Sequence, residues 1–131
     1  MHFTDHLEPL ARSRSLESLR VLLVEPDGSF AEEISGRLRE SGAKVDGPMG
    51  RNAALRAIVR DKPDCALVDL EGFGDAAFNV AYALLDAGVP ITLLAAPSAS
   101  IPGDLKEATV LRKPVAPTST VLAMVALLYP S

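Results

Sequence analysis

Apolar and polar positions along this chain fall into blocks whose period switches between that of a strand and that of a helix. "RVLLVE" (20–25) is a β-branched apolar run, which predicts a strand buried on both faces. In "PDGSFAEEISGRLRESG" the apolar residues Phe30, Ile34 and Leu38 recur at helical spacing with polar residues opposite. A helix is therefore expected, capped by Asp27 at its start and closed by Gly42 at its end. "AKVDGP" (43–48) is a short polar strand, suited to a sheet edge. "RNAALRAIVRDK" (51–62) reads as a helix with Leu55, Ile58 and Val59 turned inward. "DCALVD" (64–69) is a second buried strand, "AAFNVAYALLDAG" (76–88) a helix closed by Gly88, and "PITLLAA" (90–96) a third buried strand. "ATVLRK" (108–113) is a shorter strand, and "PTSTVLAMVALLY" (117–129) a last helix with Leu122, Val125 and Tyr129 on one stripe.

Strands alternating with helices predict an α/β domain with a parallel sheet covered on both faces. Right-handed crossovers wind such a sheet outward from its middle. The apolar strands take the centre and the polar second strand an edge, so the expected order is 2-1-3-4-5, with strands 1 and 3 meeting at the switch point. One connection departs from the rhythm. "PSASIPGDLKEA", with Pro97, Pro102 and Gly103, leaves room for about one helical turn near Asp104 to Glu107, so the fourth helix region is shortened.

Residues 1–19 read as an N-terminal extension and residues 20–131 as one domain, a length that supports a sizeable core. A short helix fits Ser15 to Leu19. Leu7, Leu10, Leu16 and Leu19 give the extension apolar surface for the sheet edge or a second chain. His2 and His6 have the i, i+4 spacing of a helical metal grip, but a frayed terminus is the plainer reading. The net charge of −4 speaks against a nucleic-acid partner. The single cysteine, Cys65, lies inside a strand pattern and reads as a buried inert thiol in a reducing compartment. The N-terminus lacks an apolar core of signal-peptide length, and the longest apolar run, "VLAMVALLY", is too short to cross a bilayer. A cytoplasmic location without membrane attachment is expected.

Chemistry in doubly wound sheets gathers beyond the carboxyl ends of the strands. Strand 1 ends at Glu25, strand 3 at Asp69 in "CALVDLEGFGD", and strand 5 at Lys113. Two acids and a lysine, distant in sequence, are thus expected in one pocket. Carboxylates there suit Mg²⁺, which binds oxygen and keeps several waters. An aspartate beside such cations is placed to attack a phosphoryl donor. Asp69 would be the nucleophile, Glu25 the metal ligand and Lys113 the partner of the phosphoryl oxygens, while Gly72 and Gly74 let the loop backbone approach closely. Taken singly, each residue has an ordinary explanation as a cap, a solubilising charge or a strand end.

Over about residues 20–129 the chain resembles the receiver domain of two-component response regulators, within the CheY-like superfamily. "RVLLVE" is similar to that family's first strand, "PDCALVDL" to the strand carrying the phosphoacceptor, and "VLRKP" to its Lys-Pro motif. "SGAKVDGPMGRNAALRAI" and "FNVAYALLDAGVPITLL" look like a receiver subgroup found with sensor histidine kinases. The resemblance implies a flavodoxin-like fold, Asp69 as phosphoacceptor and Lys113 as its invariant lysine. It also implies a Mg²⁺ site on Glu25 and Asp69, and a sensor histidine kinase or phosphotransfer protein as partner, with no enzymatic activity required.

Several positions depart from the family pattern. The second member of the acidic pair falls on Pro26, which has neither carboxylate nor N–H; Asp27, one step on, is a further metal-ligand candidate or only a helix cap. The metal site is therefore expected to be weak or absent. The switch hydroxyl position falls on Ala95 and the aromatic position on Val110. Two readings follow: a receiver phosphorylated on Asp69 with an impaired metal site and switch, or a pseudo-receiver that acts as an interaction module without phosphorylation. A flavodoxin-like cofactor binder is disfavoured, because "EPDGSF" offers one glycine and two acids where a phosphate loop would lie. No output domain is expected after the last helix. The chain would then act alone, through a partner, or as part of something longer, and a homodimer stays open.

Overall fold

The computed structural model describes residues 16–26, 28–71, 76–105 and 108–129. The strands are β1 (Arg20–Val24), β2 (Lys44–Met49), β3 (Cys65–Asp69), β4 (Ile91–Ala95) and β5 (Thr109–Arg112). The helices are α1 (Ser29–Glu40), α2 (Arg51–Arg60), α3 (Ala76–Asp86) and α4 (Pro117–Leu128). All strand pairs are parallel, and the order is β2-β1-β3-β4-β5, as the alternation of elements predicts. The connection between β4 and β5 holds a single 3₁₀ turn, Gly103–Leu105, in place of a full helix.

Side chains alternate across the sheet and sort into two cores. Leu22, Val24, Ala66, Val68, Ile91 and Leu93 point to one face and pack under α2 and α3. Val21, Leu23, Cys65, Leu67 and Leu94 point to the other, under α1 and α4. The strands β3 and β4 are buried at every position, which is why they read as unbroken apolar runs. Cys65 lies in the second core, and burial, with the nearby Asp64 charge, pushes its thiol up to about 12.

Two helical phases differ from expectation. On α2 the inward set is Ala54, Ala57 and Ile58, with Leu55 partly buried, whereas Val59 is 88% exposed. The helix sits close to the sheet through its small alanines, and Val59 lies about 100° round the axis from Ile58. On α4 the buried residues are Thr120, Val121 and Met124; Leu122 and Val125 flank them and Tyr129 is exposed. That helix is apolar almost all round, so side-chain character alone does not fix its phase.

The loop from α1 to β2 shows how the preceding segment is held. Gly42, at φ +93, closes α1: its own N–H reaches the Arg39 carbonyl and the Ala43 N–H reaches that of Leu38. A side chain at Gly42 would collide with the backbone of Glu17. Residues 16–18 form a turn that bonds this loop through Leu16 N–H to Ser41 O (2.9 Å) and Ser18 N–H to Gly42 O (3.0 Å). Leu16 is fully buried against α1 within this chain. Leu7, Leu10, Ser15 and the His2–His6 pair lie outside the described residues, as does Asp27; the N-cap of α1 is Gly28, not Asp27.

Two glycines should respond oppositely to a Cβ. Gly47 sits at φ +123 where β2 bulges against β1, and a Cβ there would fall on the Leu23 carbonyl oxygen. Gly36 lies on the exposed face of α1 with open space around it. Gly47→Ala is expected to destabilise the fold by about 2 kcal/mol or more. Gly36→Ala should stabilise it by about 0.5–1 kcal/mol. Urea unfolding of both variants checks the signs; equal effects would contradict the strand register.

Candidate functional site

The period of two that builds the cores also builds the site. Glu25 continues the parity of Val21 and Leu23, Asp69 that of Cys65 and Leu67, and Lys113 that of Leu111. All three therefore project on the α1–α4 side, at the carboxyl ends of three strands. They line one cleft of about 390 Å³, together with Pro26, Phe30 and Glu71. Glu25 and Lys113 lie one residue beyond the ends of their strands. The ladder still holds them there: Glu25 N–H reaches the Met49 carbonyl at 3.3 Å, and Lys113 N–H the Ala95 carbonyl at 2.8 Å.

Asp69 is 1% exposed at the end of the central strand. Its Oδ2 accepts a hydrogen bond from Lys113 Nζ at 2.7 Å, and its Oδ1 accepts one from the Glu71 N–H at 2.8 Å. A carboxylate in that position requires such partners, because burying an unpaired charge is costly. Lys113 Nζ also lies 3.5 Å from Glu71 Oε1. Partial burial acts to lower the Lys113 ammonium, but the hydrogen bond and charge of Asp69, with Glu71 and Glu25 behind it, outweigh this and hold it above the ordinary lysine value.

Glu25 is in the opposite situation. It is 6% exposed, and its Oε2 is buried without a hydrogen-bond partner. Burial, then the hydrogen bond to and charge of Asp69, push its carboxyl up to about 8, against the pull of Lys113. An acid of this kind is largely protonated at neutral pH unless a cation faces it. The orphaned oxygen beside a second carboxylate is the kind of donor set Mg²⁺ uses, since that ion takes one or two carboxylates and keeps several waters. Among the described residues no group of three or more His, Cys, Asp or Glu is placed to hold a metal. Asp27, Gly72 and Gly74 lie outside the described residues.

Two contacts were not singled out in the sequence. Glu71, two residues after Asp69, closes a tight turn onto it and shares Lys113. The acid at that spacing in "DLE" was the available signal. Arg112, the neighbour of Lys113, donates from Nη1 to the carbonyls of Ala96, at 3.1 Å, and Ala99. Ala95, where a switch hydroxyl would stand, is wholly buried, and Val110 is half-buried on the α3 side of the sheet. Phe30, Pro97, Pro114 and Val115 wall an apolar recess of about 450 Å³ that shares Lys113 with the cleft.

Lys113→Met keeps most of the unbranched stem of the side chain and removes the cation from Asp69. It is expected to cost about 2 kcal/mol, less than the roughly 3–5 of a wholly buried pair because Lys113 remains 30% exposed. Asp69→Asn in the same chain should recover most of that loss in urea unfolding. An unchanged midpoint in Lys113→Met would show that the pair does not support the fold.

No protein-family model and no curated protein sequence matches the chain. Solved structures do. A response regulator receiver protein from Burkholderia phymatum superposes with a TM-score of 0.68 at 24% identity, covering 85% of this chain and 95% of its own. One from Sinorhizobium medicae gives 0.67 at 19% identity, over 86% and 96%. The PhyR stress response regulator gives 0.65 at 20% identity, over 98% of this chain and 51% of its own. With a parallel sheet of order 2-1-3-4-5 between two layers of helices, and a 3₁₀ turn in place of the fourth helix, the chain has the flavodoxin-like fold of response regulator receiver domains.

Proposed function

We propose that residues 20–131 form a two-component receiver in which Asp69 accepts a phosphoryl group from a sensor histidine kinase or phosphotransfer protein. The observation that supports this most is the placement of Asp69, Lys113 and Glu25 around one cleft. In the proposed step an Asp69 carboxylate oxygen attacks the phosphorus of a phosphohistidine. An O–P bond forms, the P–N bond breaks, and the imidazole leaves and takes up a proton. Lys113 Nζ, already 2.7 Å from Oδ2, is positioned to move onto a phosphoryl oxygen and offset its charge. The Glu71 N–H holds Oδ1, which orients the carboxylate. Glu25 and Asp69 would hold Mg²⁺, and the ion when bound neutralises charge on the transferring oxygens. With Pro26 beside Glu25, that site is weak. Such a domain is a phosphoacceptor in a relay rather than an enzyme, and it would act in the cytoplasm.

A pseudo-receiver is the second reading. It is favoured by Pro26, Ala95 and Val110 at positions where the receiver pattern puts a carboxylate, a hydroxyl and a ring. The domain would then dock a kinase or regulator in one fixed state. Among the described residues no helix is long and apolar enough to cross a membrane.

Incubation with a small acyl phosphodonor and high Mg²⁺, followed by intact mass, separates the two. The chain should gain the mass of one phosphoryl group, and Asp69→Asn should gain none. No gain, or a gain that persists in Asp69→Asn, supports the pseudo-receiver. Pro26→Asp should raise Mg²⁺ affinity about tenfold, the equivalent of ~1.4 kcal/mol, in titration calorimetry. An unaltered affinity would mean that position 26 does not face the metal.

A further inference from the structure

We propose that Arg112 is a positioning residue that couples the Asp69–Lys113 pair to the connection between β4 and β5. The two residues are adjacent at the end of an edge strand only four residues long. Alternation sends their side chains to opposite faces of the sheet. Lys113 reaches Asp69 on the α1–α4 side, at 2.7 Å. Arg112 shares the face of Val110, which packs with the α2–α3 core, and its guanidinium holds the carbonyls of Ala96 and Ala99.

Those carbonyls belong to one turn. Ala99 N–H bonds the Ala96 carbonyl at 3.1 Å across Pro97 and Ser98, and Arg112 Nη1 shares that same oxygen. The turn opens the stretch that replaces a full fourth helix. Further along, Leu105 is wholly buried and Asp104 accepts a hydrogen bond from Tyr82 of α3 at 2.7 Å. The far end of the connection is therefore anchored independently, and its near end hangs on Arg112. Arg112 also stands opposite Ala95 across the β4–β5 ladder. Neither Ala95 nor Val110 has a side chain able to carry a hydrogen bond or a ring movement. A mechanical route from the Lys113 pair to this surface is the fixed spacing of consecutive residues: a displaced Lys113 displaces Arg112, and with it the turn. The pair is one arrangement of β5's end, and its loss is another, so the turn reports which is present.

The inference rests on the ion pair and its neighbours and not on phosphotransfer, so it is tested without a phosphodonor. Amide spectra of ¹⁵N-labelled protein are compared for the unaltered chain, Asp69→Asn, Arg112→Met and the double variant. Asp69→Asn is expected to move the amide signals of Ser98 to Ile101 and to speed hydrogen exchange at Ala99. Both effects should vanish when Arg112→Met is already present, and Arg112→Lys, which keeps a donor, should restore part of them. Shifts of the same size with methionine at position 112, or none in Asp69→Asn alone, would overturn the proposal. Arg112 is exposed, so its variants should fold; if Arg112→Met does not, Arg112→Gln serves in the same cycle with the same outcomes. A residue that only braces the turn would alter these amides in its own variant while leaving the response to Asp69→Asn intact.

Discussion

A carboxylate at the end of the central strand of a parallel sheet, almost wholly removed from water, must meet a cation or give up its charge. Asp69 meets Lys113, brought from 44 residues away by β5 and held at 2.7 Å. Much of the architecture serves that encounter. The apolar runs of β1, β3 and β4 align the strand ends, the period of two aims three side chains at one side, and a hydrogen bond beyond β5 sets the Lys113 backbone alongside Ala95. Packing energy secures the frame: truncating a side chain as deep as Leu67 or Leu23 to alanine would cost about 2–5 kcal/mol. The site is then a surface consequence of a well-filled interior.

The two acids of the cleft share a neighbourhood but not a condition. Asp69 has both oxygens bonded, whereas Glu25 has an oxygen buried with no partner and a carboxyl pushed up to about 8. The asymmetry follows from partners: Lys113 and the Glu71 N–H reach Asp69, and neither bonds the buried Glu25 oxygen. With proline at position 26, the cleft has one carboxylate fewer than the receiver pattern implies, and the cation that Asp69 contacts is Lys113.

The sheet order and all five strands were legible because alternating blocks of apolar residues leave few topologies once crossovers are right-handed. The strand-end residues were legible for the same reason: Glu25, Asp69 and Lys113 each close an apolar run. Helix phase was less legible. The apolar side chain of Val59 predicts an inward position, yet close packing through Ala54 and Ala57 sets the axis of α2, and Tyr129 lies off α4's buried stripe in a helix with little polar face. The contacts of Arg112 were invisible because they end on backbone carbonyls, which carry no sequence signature. In the sequence Leu16 is one leucine among several of an extension; the loop around Gly42 is what seats it in the core.

Phosphoacceptor chemistry requires Asp69 and Lys113 jointly to receive a phosphoryl-shaped group. The most direct measurement is a crystal structure grown with beryllofluoride and Mg²⁺, which mimics an acyl phosphate without turning over. The expected result is beryllium bonded to an Asp69 carboxylate oxygen, with Lys113 Nζ transferred from that carboxylate to a fluorine. Asp69 left unmodified at saturating reagent, with Lys113 still bonded to Oδ2, would contradict it.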